Sequence, residues 1–152
     1  MSDKSVLYVF CDGPKIGANE EDVKKVKIVR ELAKAKQWCK EVHIIERECN
    51  LGLDNSVIKG VTEIIQKYSN VILLEDDNIT GSHFLEFMKD ALNIYKNETK
   101  VYGISGYKHI NKKNINDETF FLPIMSSWGY ATWRDRWLKI NFNGKELLNK
   151  VE

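Results

Sequence analysis

Short apolar runs and longer amphipathic segments alternate between residues 5 and 107. The apolar runs predict strands at 5–10, 41–46, 71–74 and 101–107. Between them, apolar residues recur at helical spacing and predict helices at 19–36, 57–68 and 82–95. The run at 71–74 is continuous rather than alternating, as expected of a parallel strand that is covered on both faces. The β-α-β-α-β-α-β order therefore predicts an α/β fold with a mainly parallel sheet, in a single domain over 1–152.

The pattern loosens after residue 107. Residues 108–120 are polar and rich in Lys and Asn, which favours an exposed loop. The segment 125–140 then carries a cluster of tryptophans ahead of a predicted helix. We expect Trp133 and Trp137 to lie in the core. Trp128 precedes the flexible Gly129, and we expect it to line a pocket or to stack on a sugar ring, with core packing as the alternative.

Charge and composition narrow the classes of function. Lys and Arg total 23 against 22 for Asp and Glu, which gives a net charge of +1. This balance offers no electrostatic support for general binding to nucleic acid or to a membrane surface. No apolar stretch reaches the roughly 18 residues that a membrane span needs, and the N-terminal segment lacks the apolar core of a signal peptide. We therefore expect a cytoplasmic protein whose cysteines, which show no zinc-ligand spacing, are reduced thiols.

Three consecutive carboxylates, Glu75, Asp76 and Asp77, follow the buried run at 71–74. In an open parallel sheet, ligands bind beyond the C-terminal ends of the strands. Because neighbouring side chains alternate in direction, Glu75 and Asp77 are expected to project together while Asp76 points elsewhere. One carboxylate can then ligate a hard divalent cation while a neighbour accepts a hydrogen bond from a sugar hydroxyl. The alternative is a solvated acidic turn without a ligand.

Two further segments are candidates for a nucleotide site. Asp12 closes the strand at 5–10, on the sheet edge where Asp77 is expected, and its carboxylate can accept the imide N–H of a uracil ring. In the N-L-G-L segment that begins at Asn50, Gly52 lets backbone approach a nucleotide, and the next helix N-terminus favours negative charge. Plain turns are the alternative for both segments. The sequence has no glycine-rich phosphate-binding motif, so we expect the phosphates to be bound through a metal.

Taken in order, these segments resemble those of the GT-A glycosyltransferases. The shared features are a strand ending in Asp-Gly, the N-L-G-L connection, a hydrophobic strand ending in E-D-D, and a W-G-aromatic segment that leads into a Trp-rich helix. The chain is similar to bacterial sugar transferases related to the N-acetylglucosaminyltransferases that carry an E-D-D form of the D-x-D motif. The resemblance covers nearly the whole chain. No single motif is specific to this family, but the four motifs in this order are more specific.

The resemblance implies a Rossmann-like GT-A fold and a metal-dependent enzyme. Such an enzyme transfers a sugar from a nucleotide-sugar donor, here a UDP-sugar, to a hydroxyl group of a glycan or another acceptor. The resemblance implies that Asp77 ligates Mn²⁺ or Mg²⁺, and that Glu75 and Asp76 position the ribose, the sugar or metal-bound water. A metal across the diphosphate stabilises the charge that develops as the glycosidic bond breaks.

The resemblance also assigns the contacts with the nucleotide and the sugar. It implies that Asp12 reads the base, within a nucleotide site that includes Asn50 and Gly52. It implies that the donor sugar or the acceptor is bordered by Trp128, Gly129 and Tyr130.

Two departures from the family's pattern lead to further expectations. The family begins with a strand-turn-helix unit, and here Met1 stands almost where its second strand starts, so we expect the first β-α unit to be lacking. An inverting enzyme needs a carboxylate base, which in the family lies downstream of the Trp-rich helix, at or beyond Glu152. No catalytic base is identified in this sequence, and Asp135 within W-R-D-R-W is expected to be structural.

Other functions fit parts of the same pattern. The main alternative is a noncatalytic or incomplete α/β module that binds a nucleotide or a cation without transferring a sugar. A receiver-like phosphoacceptor domain also uses clustered carboxylates for Mg²⁺. It requires an acidic pair after its first strand and a lysine after its last, and this sequence matches neither convincingly.

Overall fold

The structure is a computed structural model that describes residues 4–108 and 119–150. The chain divides into two compact units, Met1–Glu63 and Ile64–Glu152. The elements in chain order are β1 (Val6–Cys11), α1 (Glu20–Lys34), β2 (Glu41–Glu46), α2 (Leu53–Lys67), β3 (Asn70–Leu73), α3 (Phe84–Ile94), β4 (Ile104–Ser105), β5 (Tyr130–Trp133), α4 (Arg134–Trp137) and α5 (Gly144–Leu148). The protein is therefore of mixed α/β class, as predicted.

A parallel pair of strands forms the sheet of the first unit. β1 lies beside β2 in a register that pairs Cys11 with Glu46. Phe10 of β1 packs against α2 at Gly60, where an added Cβ would lie 3.3 Å from the phenyl ring. Any larger residue at Gly60 would have to push the ring aside, so the glycine permits a close approach of helix and strand.

The long helices follow the segments that apolar spacing predicted. α1 begins after Asn19, whose side chain accepts a hydrogen bond of 2.8 Å from the backbone N–H of Asp22. Acidic residues fill the first turn, where the helix dipole favours negative charge. α1 and α3 end within two residues of their predicted limits, and α2 begins four residues early, at Leu53. None of the described helices is long and apolar enough to cross a membrane.

The second unit contains a three-stranded antiparallel sheet. Its strand order is β3-β5-β4, so β5 is the central strand. Tyr130 of β5 pairs with Leu73 of β3 on one side and with Ser105 of β4 on the other. α3 packs on this sheet and contributes to a core cluster whose buried members are Met88, Ala91, Leu92, Ile104, Ala131 and Trp133.

The prediction of a mainly parallel sheet is correct for β1 with β2 and wrong for the described strands of the second unit. β3 pairs antiparallel with β5, a strand that the sequence pattern did not predict. Tyr130–Trp133 is only four residues long and runs directly into α4, so in the sequence its apolar residues resemble the approach to a helix. β1 and β3 belong to different sheets rather than to one.

The strand predicted at 101–107 shortens to the two residues of β4. Glycines flank it where other chain segments approach closely. A Cβ on Gly103 would lie 2.2 Å from Sδ of Met125, and a Cβ on Gly106 would lie 2.4 Å from the ring of Phe84. Most of the loop predicted at 108–120 lies outside the described residues.

The tryptophan-rich segment confirms two core assignments. Trp133 and Trp137 are each 4% exposed. Asp135 lies between them and accepts a hydrogen bond of 2.7 Å from Nη1 of the buried Arg136. This ion pair agrees with the structural role expected of Asp135.

Candidate functional site

The acidic residues Glu75, Asp76 and Asp77 form a turn just beyond the C-terminal end of β3. We call residues 75–77 the acidic turn. Asn78 closes it, because its Oδ1 accepts the backbone N–H of Glu75 at 3.0 Å and its own N–H donates to the Glu75 carbonyl at 3.1 Å. Asp76 and Asp77 are exposed, and Glu75 is half-buried. The turn thus has a fixed backbone and presents two carboxylates to solvent.

Asp77 retains coordination capacity in this turn. Its Oδ1 accepts a hydrogen bond of 3.2 Å from the Asn78 side-chain amide. Its Oδ2 accepts none from the residues that the structure describes. A hard cation can be bound by one such carboxylate together with water and phosphate oxygens from a ligand. Within the described ranges, no three His, Cys, Asp or Glu side chains are grouped so as to hold a metal ion.

The W-G-Y segment lies beside the acidic turn because β5 pairs with β3. Leu73 is opposite Tyr130, and a Cβ on Gly129 would lie 3.3 Å from Cδ2 of Leu74. Gly129 has a φ of +68°, a backbone conformation that side chains disfavour. Leu74 immediately precedes Glu75. The structure therefore brings the third and fourth motifs of the sequence, E-D-D and W-G-aromatic, together at one edge of the antiparallel sheet.

Tyr130 lies beneath this edge rather than on it, since it is only 5% exposed. Burial, and secondarily the negative charge of Glu75, raises the pKa of the Tyr130 phenol to about 12. The phenol therefore stays protonated at neutral pH. Trp128, two residues earlier, is 51% exposed.

Tyr107 is a further residue at this edge that the sequence did not single out. Its ring centroid lies 4.8 Å from that of Trp128, with an angle of 57° between the ring planes. Gly106 positions Tyr107 beside Trp128, because the Gly106 backbone N–H donates a hydrogen bond of 2.8 Å to the Gly129 carbonyl. The signal in the sequence was an aromatic residue at the C-terminal end of a predicted strand, the end where ligands bind.

The first unit contains the three residues that the resemblance assigned to the nucleotide: Asp12, Asn50 and Gly52. The structure brings them together. Asn50 donates from its side-chain amide to the Gly13 carbonyl at 3.2 Å, and its Oδ1 accepts the Gly52 backbone N–H at 3.2 Å. Gly52 has a φ of +75° and open space around its Cα. These contacts form a compact junction between the two loops.

The Asp12 carboxylate is the centre of this junction. Both of its oxygens accept the Leu51 backbone N–H at 3.0 Å, Oδ2 also accepts from Gly52 at 3.2 Å, and Oδ1 accepts from Gly13 at 3.2 Å. A carboxylate offers about four lone-pair sites, so these contacts occupy its capacity. To accept the imide N–H of a base, Asp12 must weaken one of them. Since β1 and β3 lie in separate sheets, strand pairing does not relate Asp12 to Asp77, and their shared edge stays a prediction.

A cleft of about 580 Å³ lies at the opposite end of β3 from the acidic turn, lined in part by Asn70, Arg134 and Arg136. The two arginines of this cleft form hydrogen bonds that stabilise the fold. Arg134 donates to the Ile65 carbonyl at 2.6 Å near the end of α2, and Arg136 donates to the Lys96 carbonyl at 2.8 Å beyond α3. Arg134 thus satisfies a carbonyl that the last turn of α2 leaves unpaired, and Arg136 satisfies a carbonyl just after α3. We therefore do not place the candidate site in this cleft.

Comparison with known proteins found no family model, no curated protein and no solved structure that matches this chain. A functional assignment therefore rests on the chain's own residues.

Proposed function

We propose that this chain is a metal-dependent glycosyltransferase domain of the GT-A type that transfers a sugar from a UDP-sugar to a hydroxyl acceptor. One observation carries the proposal. The pairing of β3 with β5 sets the acidic turn beside Trp128 and Gly129, so that two motifs separated by about fifty residues meet at one sheet edge. A sugar nucleotide requires both elements: carboxylates for a cation and hydroxyls, and an aromatic surface for a sugar ring.

The residues of the acidic turn have distinct proposed roles. Asp77, exposed and with one oxygen unpaired among the described residues, binds Mn²⁺ or Mg²⁺. When bound, the cation neutralises the charge that builds on the departing diphosphate. Glu75 and Asp76 accept hydrogen bonds from the ribose, the sugar or metal-bound water. Gly129 lets the W-G-Y segment pack closely against Leu74, the residue before the acidic turn, because a side chain there would meet Leu74.

The junction at Asp12 is proposed to shape the nucleotide pocket. Its hydrogen bonds hold the backbone at Leu51 and Gly52, and the open space at Gly52 lets a base or ribose approach the main chain. In this arrangement Asp12 acts on the nucleotide mainly by holding the loop. Asn50 has the same function from the other side of the junction.

The test is metal-dependent nucleotide binding. The wild-type chain and the Asp77→Asn variant are titrated with UDP in the presence and absence of Mn²⁺, by calorimetry and by thermal shift. Asn preserves the shape of Asp77 and removes the charge that a hard cation requires, so the Mn²⁺-dependent part of UDP binding should vanish while the fold survives. Asp90→Asn, at an exposed position of α3, is the matched control and should behave as wild type.

Equal responses of wild type and Asp77→Asn would refute the metal assignment. Turnover of a UDP-sugar separates the enzyme from a noncatalytic nucleotide-binding module. Release of UDP that depends on an acceptor and on Asp77 supports the enzyme. Binding without release supports the module.

A further inference from the structure

Two half-exposed aromatic rings stand together at the edge that carries the acidic turn. Tyr107 is 48% exposed and Trp128 is 51% exposed, and their ring centroids are 4.8 Å apart. Isolated exposed aromatic residues are common on protein surfaces and need no explanation. Two rings that contact each other and still leave about half of their surface open form a continuous apolar patch. We call Tyr107 and Trp128 the aromatic platform.

The backbone beneath the platform is fixed by the core. Gly106, next to Tyr107, has no room for a side chain, since a Cβ would lie 2.4 Å from the Phe84 ring and 3.1 Å from the Gly129 carbonyl oxygen. Gly129, next to Trp128, is buried and packed against Leu74. Each aromatic residue is therefore attached to a glycine that is packed tightly against its neighbours. Such anchoring reduces the ordering that a ligand must impose when it binds.

Two serines add a second support. The Ser126 backbone N–H donates to Oγ of Ser105 in β4 at 3.0 Å, and the Trp128 backbone N–H donates to Oγ of Ser126 at 3.2 Å. These hydrogen bonds connect the segment before Trp128 to the sheet. The platform is thus held from β4 as well as from β5.

The chemistry of the whole edge matches a sugar ring. A pyranose has an apolar C–H face and a rim of hydroxyl groups. The aromatic faces can pack against the C–H face, and the exposed carboxylates of Asp76 and Asp77 can accept hydrogen bonds from hydroxyls. The same carboxylates repel a ligand that carries its own negative charge.

We propose that Tyr107 and Trp128 bind the ring of a neutral saccharide acceptor and that the acidic turn excludes acidic sugars. The inference rests on the proposed function for the role of the saccharide as acceptor. Binding of the saccharide to the platform requires neither nucleotide nor cation. It can therefore be tested separately.

The experiment measures saccharide binding to the full chain by ligand-observed NMR and by tryptophan fluorescence. The probes are the methyl glycosides of glucose, galactose and N-acetylglucosamine, with methyl glucuronide as the acidic counterpart of methyl glucoside. At least one neutral glycoside should bind at millimolar concentration, and methyl glucuronide should bind several-fold more weakly than methyl glucoside. Raising the salt concentration should narrow that difference, because it arises from charge.

Variants then locate the site. Trp128→Ala and Tyr107→Ala should each weaken binding roughly three- to tenfold, within the range of aromatic contact energies. Tyr107→Phe keeps the ring and should bind nearly as wild type. Trp38→Phe removes another half-exposed tryptophan, in the first unit, and should leave saccharide binding unchanged.

The outcomes separate this inference from the proposed function. Absence of binding by all neutral glycosides, or binding that Trp128→Ala and Tyr107→Ala leave unchanged, overturns the platform. Asp77→Asn should abolish the Mn²⁺-dependent response to UDP and weaken binding of neutral glycosides less than Trp128→Ala does, because the asparagine amide still offers an oxygen to a sugar hydroxyl. If wild type binds saccharides through the platform but shows no response to UDP and Mn²⁺, the glycosyltransferase proposal fails and the saccharide site stands.

Discussion

The Asp12 carboxylate and the backbone N–H of Leu51 form a three-centre hydrogen bond, in which both carboxylate oxygens lie 3.0 Å from the amide nitrogen. The interaction joins the end of β1 to the loop that precedes α2. Gly13 reinforces it, since its own N–H donates to the Cys49 carbonyl at 3.2 Å and a Cβ there would lie 2.5 Å from the Cys49 backbone. Two loops distant in sequence therefore behave as one structural unit.

Asp12→Asn should loosen this junction. The substitution replaces one acceptor oxygen with an NH₂ group that faces backbone donors, so some amides lose their partner at about 1–3 kcal/mol each. We expect faster hydrogen exchange at the amides of Leu51 and Gly52, with little change at the centre of α1. Amide exchange followed by NMR checks this. Unchanged protection at Leu51 would show that the carboxylate is not what holds the loop.

Trp137 and Trp128 should differ sharply in their contribution to stability. Trp137 is 4% exposed and Trp128 is 51% exposed. Truncating a buried tryptophan typically costs about 3–5 kcal/mol, and a half-exposed one loses much less buried area. Trp137→Ala should thus unfold or strongly destabilise the chain, while Trp128→Ala should mainly weaken ligand binding. Urea unfolding of both variants gives the order, and the reverse order would mean that the two roles are exchanged.

Tyr130 should make stability fall at alkaline pH. An unfolded tyrosine titrates near pH 10, whereas the folded pKa is raised to about 12 by burial and then by Glu75. The folded state therefore retains its proton between these values while the unfolded state loses it. This contribution to stability is complete below about pH 10 and decreases as pH rises towards 12.

Tyr130→Phe should remove that part of the alkaline decrease. Comparison of urea midpoints at about pH 9 and pH 11 for wild type and variant measures the difference. A Phe variant with the same alkaline loss as wild type would assign the effect to other groups.

Gly129→Ala should destabilise the chain more than Gly81→Ala. At Gly129, a φ of +68° and contacts at 3.3 Å with Leu74 and Phe84 both oppose a side chain. The left-handed conformation alone costs roughly 1–2 kcal/mol for a residue with a Cβ. At Gly81, φ is not positive and no atom lies within 4 Å of an added Cβ. Thermal unfolding of the two variants tests this, and equal shifts would contradict the packing seen at the sheet edge.

Local periodicity made the helices and the first strands predictable. α1 carries its start signal in Asn19 and in the acidic residues of its first turn, Glu20, Glu21 and Asp22, and both act within four residues. α2 shows a strong separation of apolar and polar faces, so its prediction did not require knowledge of tertiary contacts. The capping and patterning that define these elements are all local in sequence.

Features that depend on distant pairing escaped prediction. β5 has four residues, and its identity as a strand comes from β3 and β4, which lie far away in the sequence. The position of the acidic turn relative to Trp128 follows from that pairing alone. Tyr107 resembled any aromatic residue of a strand, because a sequence pattern does not reveal that a ring stays exposed. The sequence also does not show that backbone amides from two loops occupy the Asp12 carboxylate, since those contacts depend on the folded arrangement of the loops.

β5 also fixes where the acidic turn and the aromatic platform lie relative to each other. All four of its residues are buried, in contrast to the other described strands. A strand hydrogen-bonded on both sides and covered on both faces cannot slip by one residue without reversing every side chain. Because the acidic turn adjoins one partner of β5 and Tyr107 follows the other, the register of β5 fixes both places at once. A slip of one residue would displace the acidic turn and the aromatic platform together.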